Sequence, residues 1–268
     1  MDQKEFYRNA RAYDIAFSDR DFEIECDFLE WCLNEHSSLR AKDKKNKSFL
    51  EMASGPSRHA IEFAKRNWDS IALDNSPDML GYAKEIAEEE GVKIDTLAKD
   101  MTKFKIKKPV TLAATMMESI AHINTNEQML THLKSVADSL VPGGIYVIEA
   151  THPNGFFPEN EANIWTEEKD GMKVKITFGL PSDHYDYITQ VWNVTTKLDI
   201  WNGSGKKYTT TSKINLRWYL AQEIKALIDL SGAFEKYWFY GNAYSIPPYQ
   251  FDNSEEADSM IIVLRKKR

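Results

Sequence analysis

Small and acidic residues follow three predicted strands at the points where a ligand would bind. The first strand, Ser48–Met52, leads into residues 51–57, where positions 53, 55 and 57 are all small and precede a helix. Small side chains let a ligand approach the backbone closely before a helix N-terminus. Asp74 follows the second strand, where an acid is placed to accept hydrogen bonds from a ribose diol. Asp100 follows the third strand and is suited to an exocyclic amine, with Met101 packing on a ring.

Alternating strands and helices predict the frame that positions these residues. The predicted strands before residue 151 are 48–52, 70–74, 92–98, 110–115 and 145–150; helices begin near residues 21, 57, 76 and 125. Parallel strands joined by helices form right-handed crossovers, and open sheets of this kind bind ligands beyond the carboxyl ends of their strands. We therefore predict an α/β fold with a doubly wound, mostly parallel sheet.

The pattern changes after residue 150. Alternating stretches at 173–178, 189–194 and 207–216 predict an antiparallel β insertion. A helix at 219–230 and strands near 236–240 and 259–265 then complete a seven-stranded main sheet. The expected organisation is an N-terminal helical cap with a cofactor-binding half (1–150), the insertion (151–216), and the last helix with the final two strands (217–268).

The segment from Phe49 to Ala150 resembles the class I, Rossmann-like, S-adenosylmethionine-dependent methyltransferases. The motifs that carry the resemblance are Glu51, Ala53, Gly55 and Ser57, the acids Asp74 and Asp100, and the turn Pro142-Gly143-Gly144. Tyr13-Asp14 also resembles the N-terminal segment that closes over the cofactor in small-molecule members. The chain departs from the family in keeping one of three loop glycines. The match covers most of the chain and is weakest over 151–216.

The resemblance implies S-adenosylmethionine as the cofactor and assigns a set of residues to it. The candidate cofactor-binding residues are Tyr13, Glu51, Ala53, Gly55, Asp74, Asn75, Met79, Asp100, Met101 and Met117. The alternative interpretation is that Glu51 and Asp74 only cap helices.

Two histidines are the candidate catalytic residues. In this family the protein chiefly aligns a nucleophile with the methyl group, and a base is needed when the acceptor is a protonated amine or a phenol. His122 follows the fourth strand and His152 the fifth. The alternative for each is a polar group that shapes the pocket or satisfies backbone groups. Glu118 is either a contact for a substrate amine or a loop carboxylate.

Aromatic residues are abundant and concentrated after residue 150. The chain has seven Trp and twelve Tyr. The candidate substrate-binding residues beside Glu118 are Trp165, Trp192 and Trp218, and Phe156 and Phe157 belong to the same group. They predict an aromatic acceptor pocket with cation–π contacts to an amine. The alternative is that they stabilise the insertion or a subunit interface, which leaves a homodimer open.

Charge and composition argue against nucleic acids and membranes as partners. The 34 Lys and Arg against 41 Asp and Glu give a net charge of −7, which disfavours nucleic acid and anionic membranes. No apolar stretch approaches the ~20 residues of a membrane span, and the N-terminus is not a signal peptide. We expect a cytoplasmic protein without a metal site, in which Cys26 and Cys32 do not form a disulfide bond.

These observations predict a methyltransferase that moves a methyl group by SN2 transfer to oxygen or nitrogen of a small-molecule acceptor. The alternative is a non-catalytic S-adenosylmethionine-binding sensor or scaffold, which the reduced glycine loop allows. A nicotinamide-dependent oxidoreductase is disfavoured, because Ser54–Ser57 lacks the three-glycine fingerprint and has Pro56 in the turn.

Overall fold

A computed structural model describes residues 9–40, 42–155 and 162–268. Phe156 and Phe157, two of the aromatic candidates, lie outside the described residues. Within the described chain, the strands form one seven-stranded and one five-stranded sheet.

The seven-stranded sheet has the predicted architecture. Its strands are β1 (Ser48–Met52), β2 (Asp69–Asp74), β3 (Asp95–Ala98), β4 (Val110–Thr115), β5 (Leu140–Thr151), β11 (Phe234–Tyr240) and β12 (Ser259–Lys266). They lie in the order β11-β12-β5-β4-β1-β2-β3. The first five strands are parallel, and β12 runs antiparallel to both of its neighbours. The predicted doubly wound, mostly parallel sheet is confirmed, and its strand order reverses between β1 and β4.

Helices cover both faces of this sheet. They are α1 (Ala10–Ala16), α2 (Phe22–His36), α3 (Arg58–Lys65), α4 (Pro77–Glu89), α5 (Asn126–Ser139) and α6 (Ala221–Ser231), with short 3-10 turns at Asp43–Lys45, Ser119–His122 and Pro153–Gly155. One apolar core contains side chains of α2, α3 and α4, and the other contains those of α5 and α6. Ser76 caps α4, as its sequence predicts. Thr125 and Gln128 form the predicted capping box of α5.

The five-stranded sheet is the predicted antiparallel insertion. Its strands are β6 (Asn163–Lys169), β7 (Met172–Phe178), β8 (Tyr185–Asp186), β9 (Val191–Trp201) and β10 (Lys207–Arg217), in the order β10-β9-β7-β6 with β8 paired to β9. The sequence did not predict β6 or β8. Most of β6 is exposed, so its strand conformation depends on pairing with β7 rather than on apolar alternation.

Helix α1 joins the two sheets. Its buried residues Ala12 and Ile15 share an apolar core with Val174 of the second sheet. On the other side, Asp14 accepts a hydrogen bond from Arg58 Nε at 2.7 Å and one from Tyr82 Oη at 3.1 Å. The second sheet is therefore attached to the helix that lies over α3 and α4.

The predicted turn at Pro142-Gly143-Gly144 is wrong in one respect: these residues belong to β5 itself. Val110 pairs with Leu140 and Leu112 with Ile145, so the glycine segment is an irregularity within the strand. Gly143 has φ +81°, and a Cβ there would lie 2.7 Å from Ser38 Oγ. The glycine is therefore needed both for its conformation and for the close approach of the segment before β1.

Candidate active site

The loop after β1 has an unusual backbone that presents three small residues. Ala53, Gly55 and Ser57 have φ of +49°, +51° and +62°. Because left-handed conformations favour glycine, Ala53 and Ser57 are strained there, and surrounding contacts must offset the strain. Ser57 contributes two such contacts: its N–H donates to Ser54 O at 2.7 Å and its hydroxyl to Ser54 Oγ at 3.0 Å.

Asp74 ties the end of β2 to this loop. One carboxylate oxygen accepts a hydrogen bond from Gly55 N–H at 2.8 Å, and the other accepts one from Ser76 N–H at 2.8 Å. Burial raises the pKa of this carboxyl above its ordinary value. Tyr13 lies at the same point, with Cε1 3.7 Å from the position a Gly55 Cβ would occupy, and burial and the charge of Asp74 raise its pKa. The structure thus brings Tyr13, Gly55 and Asp74 together.

Glu51 binds helix α3. Its Oε2 accepts a hydrogen bond from Ala60 N–H at 2.8 Å, and its Oε1 lies 3.0 Å from His59 Nδ1. The other ring nitrogen of His59 lies 2.6 Å from Glu25 Oε2. Burial acts to lower the pKa of His59, but the two carboxylates outweigh it and raise the pKa to about 9, so that the ring donates to both. These contacts agree with the alternative that Glu51 anchors a helix.

The remaining cofactor candidates beyond β2 and β3 divide between surface and core. Asp100 is exposed, and its Oδ1 accepts hydrogen bonds from both the N–H and the hydroxyl of Thr102 at 2.7 Å. Asn75 is exposed before α4. Met79 is fully buried in α4, and Met101 is buried in the main core. Asp100 and Asn75 are therefore the accessible members of this group.

A cavity of about 710 Å³ lies between the carboxyl end of the main sheet and the second sheet. The sequence-selected residues that line it are Tyr13, Met117, Glu118, His122, Trp165, Trp192 and Trp218. Because Tyr13 belongs both to this lining and to the cluster with Gly55 and Asp74, the cavity adjoins the predicted nucleoside-binding edge.

The polar end of the cavity contains Glu118, Glu149 and His122. Met117 and Glu118 have φ of +54° and +55°, and Met117 N–H donates to Glu149 Oε2 at 2.6 Å. The Glu118 side chain is exposed to the cavity, but surrounding protein displaces water and the Glu149 charge is near, so its pKa is raised. Burial lowers the pKa of His122 to about 4, which leaves its ring neutral at pH 7.

The opposite wall is aromatic and comes from the second sheet. The ring centroids of Trp192 and Trp218 are 5.3 Å apart, and that of Phe178 is 5.6 Å from Trp192. Trp165 donates its indole N–H to Ala16 O at 2.7 Å, which fixes it against α1. All three predicted tryptophans therefore face one cavity.

His152 lies outside the residues that line the cavity. Its Nδ1 accepts a hydrogen bond from Asn154 N–H at 3.2 Å, so its Nε2 carries the proton and donates to Asp252 O at 3.0 Å. The ring packs on Phe251 at a centroid distance of 5.0 Å. With both nitrogens used by backbone groups, the geometry agrees with the structural alternative for this residue.

Sequence reasoning missed many of the lining residues, among them Arg20, Glu149, Tyr185 and Asp258. Glu149 carried a signal, since it is an acid within the apolar strand segment Ile145–Ala150 and a buried charge requires a partner. That partner is Arg20, whose Nη2 lies 3.0 Å from Glu149 Oε2 and whose Nε lies 2.8 Å from Glu25 Oε1. Arg20 and Asp258 lie in polar segments with no distinguishing pattern.

The strands and loops that form this edge of the sheet match a known protein family. Residues 49–144 match the family model described as a methyltransferase domain. This chain contains a methyltransferase domain. The domain extends from β1 into the glycine segment of β5 and includes Gly55, Asp74 and Asp100. The resemblance to class I S-adenosylmethionine-dependent methyltransferases, drawn from the sequence, is confirmed.

Solved structures share the fold over nearly the whole chain. The sugar N-methyltransferase KedS8 from a Streptoalloteichus species has a TM-score of 0.72 at 17% identity, over 96% of this chain and 93% of that chain. An S-adenosylmethionine-dependent methyltransferase from Clostridium acetobutylicum has a TM-score of 0.71 at 14% identity, over 98% and 99%. At these identities the likeness establishes the fold.

One curated relative is dTDP-3-amino-3,4,6-trideoxy-alpha-D-glucopyranose N,N-dimethyltransferase from Streptomyces venezuelae. It is 28% identical over 141 residues, which are 51% of this chain and 56% of that protein. The match therefore spans about half the length of the relative.

Three further observations concern the part of the chain that the structure describes. No helix there is long and apolar enough to cross a membrane. In the same residues, no group of three His, Cys, Asp or Glu side chains is arranged to hold a metal ion. Cys26 and Cys32 are both buried free thiols.

Proposed function

We propose that this protein transfers the methyl group of S-adenosylmethionine to the nitrogen of a small-molecule amine. The observation that carries the proposal is the cavity of about 710 Å³, whose polar end lies beside the strand-end acids of a methyltransferase domain. A cavity of this size suits a small-molecule ligand. Nitrogen is favoured over oxygen because Glu118 and Glu149 line that end, and because KedS8 and the curated relative are named as N-methyltransferases.

The residues at the edge of the main sheet fit the cofactor. The Asp74 carboxylate accepts backbone hydrogen bonds from residues 55, 75 and 76 and keeps a lone pair for a ribose hydroxyl. Asp100 is exposed and able to accept a hydrogen bond from an adenine amine. Gly55 keeps the loop free of a side chain under Tyr13, which would cover the cofactor from α1. Acceptors for a ribose hydroxyl and for an adenine amine are thus available at this edge.

When bound, the cofactor supplies a methyl group on a sulfonium sulfur, and as the amine lone pair forms the N–C bond the C–S bond breaks with its electrons remaining on sulfur. The protein has to align the acceptor, exclude water and remove a proton from an ammonium group. Glu118 would bind that ammonium group at the polar end of the cavity. The proton would pass to the carboxylate of Glu118, whose pKa is raised by its surroundings. His122 lies at the same end of the cavity, and because burial lowers its pKa to about 4, its neutral ring would orient the amine through a hydrogen bond.

Other parts of the proposal rest mainly on the sequence. We propose the division into residues 1–150, 151–216 and 217–268, with the insertion forming the acceptor wall. We also propose a cytoplasmic location without nucleic-acid or membrane partners, which the charge of −7 and the mixed composition support. A homodimer through exposed aromatic residues is tested by light scattering of the purified protein.

Calorimetric titration with S-adenosylhomocysteine tests cofactor binding. We expect saturable binding that is weakened in both Asp74→Asn and Asp100→Asn. Asp95→Asn is the matched control, because Asp95 is also exposed but begins β3 at the opposite end of the strand from Asp100. If the folded protein shows no saturable binding of S-adenosylhomocysteine, the proposal is wrong.

Turnover distinguishes an enzyme from a sensor. Release of S-adenosylhomocysteine in the presence of a panel of small amines supports catalysis. We expect His122→Gln to lower kcat and His152→Gln to leave kcat unchanged while lowering stability, since only His122 lines the cavity. Tight cofactor binding without turnover on any amine would favour the non-catalytic alternative.

A further inference from the structure

The aromatic wall of the cavity is a continuous cluster of rings. The planes of Tyr185 and Trp218 are tilted by 32° and those of Trp218 and Trp192 by 39°, and Phe178 meets Trp192 edge to face at 81°. Tyr185 lies 5.5 Å from Trp218, Trp218 lies 5.3 Å from Trp192, and Trp192 lies 5.6 Å from Phe178, all measured between ring centroids. Phe178, Tyr185 and Trp192 lie on β7, β8 and β9, and Trp218 directly follows β10, so the wall is held by a paired sheet. Such a surface binds planar or apolar groups through large contact areas.

The wall is fixed from behind by the backbone. A Cβ on Gly179 would lie 2.7 Å from two ring atoms of Trp192, so the indole packs directly on that glycine. Asp183 holds the loop that follows: its carboxylate accepts hydrogen bonds from Leu180 N–H at 2.8 Å, from Thr195 N–H at 2.6 Å and from the Thr195 hydroxyl at 2.6 Å. The position of Trp192 is therefore set before any acceptor binds.

The charges that face this wall are predominantly negative. Among the described lining residues, the acids are Glu118, Glu149, Asp183 and Asp258, and the only Lys or Arg is Arg20. Arg20 is committed to Glu25 and Glu149, with which it makes bonds of 2.8–3.2 Å. Little positive charge remains for an anion, whereas Glu118 and Asp258 are exposed to the cavity.

We propose that the acceptor is a cationic amine whose body is a flat, apolar group without phosphate, bound with its ammonium group at Glu118 and its flat group on Trp192 and Trp218. This inference rests on the proposed function and narrows its substrate class. It separates this chain from the curated relative, whose name specifies a dTDP-linked sugar. A diphosphate in this cavity would face several carboxylates and a guanidinium that is already paired. An ammonium group, in contrast, is stabilised by charge-assisted hydrogen bonds to the carboxylates and by cation–π contacts with the aromatic faces.

Binding of three probes to the protein saturated with S-adenosylhomocysteine tests the inference. The probes are phenethylamine, phenethyl alcohol and dTDP, each titrated calorimetrically. We expect phenethylamine to bind most tightly, the uncharged alcohol about tenfold or more weakly, as loss of one charge-assisted hydrogen bond predicts, and dTDP not measurably. Equal affinity for amine and alcohol, tighter binding of dTDP, or no binding of phenethylamine would each overturn it.

A pair of variants assigns the ammonium site. Glu118→Gln should weaken phenethylamine about tenfold or more while leaving the alcohol unchanged. Glu127→Gln is the control, since Glu127 is exposed on the first turn of α5 and does not line the cavity. Equal phenethylamine affinity in the two variants would contradict the site. Cofactor-product binding is measured first in each variant, so its failure would count against the proposed function and not against the acceptor class.

Discussion

Arg20 and Glu149 form a bidentate ion pair beside the proposed acceptor cavity, although they are 129 positions apart in the chain. Arg20 Nη2 lies 3.0 Å from Glu149 Oε2, and Nη1 lies 3.2 Å from Oε1. Glu149 also accepts the N–H of Met117, the residue that precedes Glu118. The pair thus connects the segment after α1 with the end of β5 and with the polar end of the cavity. On its other side Arg20 binds Glu25, which binds His59, so the pairing continues to Glu51 at the end of β1.

Replacing Arg20 should destabilise the protein strongly. Arg20→Met removes the guanidinium that pairs with Glu149 and leaves Glu25 with the imidazolium of His59, and breaking a buried pair in this way costs about 3 kcal/mol or more. Arg20→Lys should recover only part of the lost free energy of unfolding, because an ammonium group cannot form the bidentate pair. The free energy of unfolding from denaturant titration measures both.

Arg40→Met provides the matched comparison. Arg40 pairs with Asp43 at 3.0 Å, but its side chain is 59% exposed, so the loss should stay below about 1 kcal/mol. Similar losses in the two methionine variants would show that the Arg20 network does not stabilise the fold.

Stability should fall with rising pH in the neutral range because of His59. Its folded pKa is raised to about 9 from an ordinary value of 6.5, so its stabilisation is complete below pH 6.5 and is lost as the pH rises through about 9. The contribution of His59 to the free energy of unfolding should drop by about 1 kcal/mol between pH 7 and 8, and by about 3 kcal/mol in total. The ordinary pKa of a cysteine thiol lies above this pH window, so the slope between pH 7 and 8 does not come from Cys26 or Cys32.

The variant His59→Gln tests the assignment. It removes the titrating group, so the pH slope between 7 and 8 should disappear even though the variant is less stable at pH 7. A steep slope that persists in His59→Gln would assign the effect to another residue.

Gly55→Ala should weaken cofactor binding beyond its effect on stability. Both Gly55 and Gly91 have positive φ, +51° and +69°, so alanine at either site should cost about 1 kcal/mol of stability. A Cβ at Gly55 projects toward Tyr13, whereas one at Gly91 meets nothing within 4 Å. Calorimetry should show an affinity for S-adenosylhomocysteine about tenfold lower in Gly55→Ala alone, or about 1.4 kcal/mol. Equal affinities in Gly55→Ala and Gly91→Ala would refute the role of the loop.

Gly179→Ala should disturb the acceptor wall selectively. Its Cβ would collide with the Trp192 ring, whereas Gly205→Ala places a Cβ in open space at a similar φ of +75° in the same sheet. We expect weaker phenethylamine binding and unchanged binding of S-adenosylhomocysteine in Gly179→Ala, and neither change in Gly205→Ala. A loss of cofactor-product affinity in Gly179→Ala would mean that the wall is not confined to the acceptor side.

Local chemistry was sufficient to predict the main sheet. β1 and β4 have the predicted bounds, since both strands are buried along their whole length. Asp74 and Gly55 were selected by residue type and by their positions after two strands, and in the structure Gly55 N lies 2.8 Å from Asp74 Oδ2. In contrast, β6 was missed because it is largely exposed, and the glycines before Ile145 were read as a turn because their pairing to β4 has no local signature.

The sequence by itself determined the strands and helices of the main sheet, the family and the edge at which we propose that the cofactor binds, because each depends on residues close together in the chain. Tertiary structure alone decided which residues share the acceptor cavity. The pairing of Arg20 with Glu149, the packing of Trp192 on Trp218 and the backbone partners of His152 all join distant segments. Charge neutralisation and ring packing act through space, so spacing along the chain does not encode them.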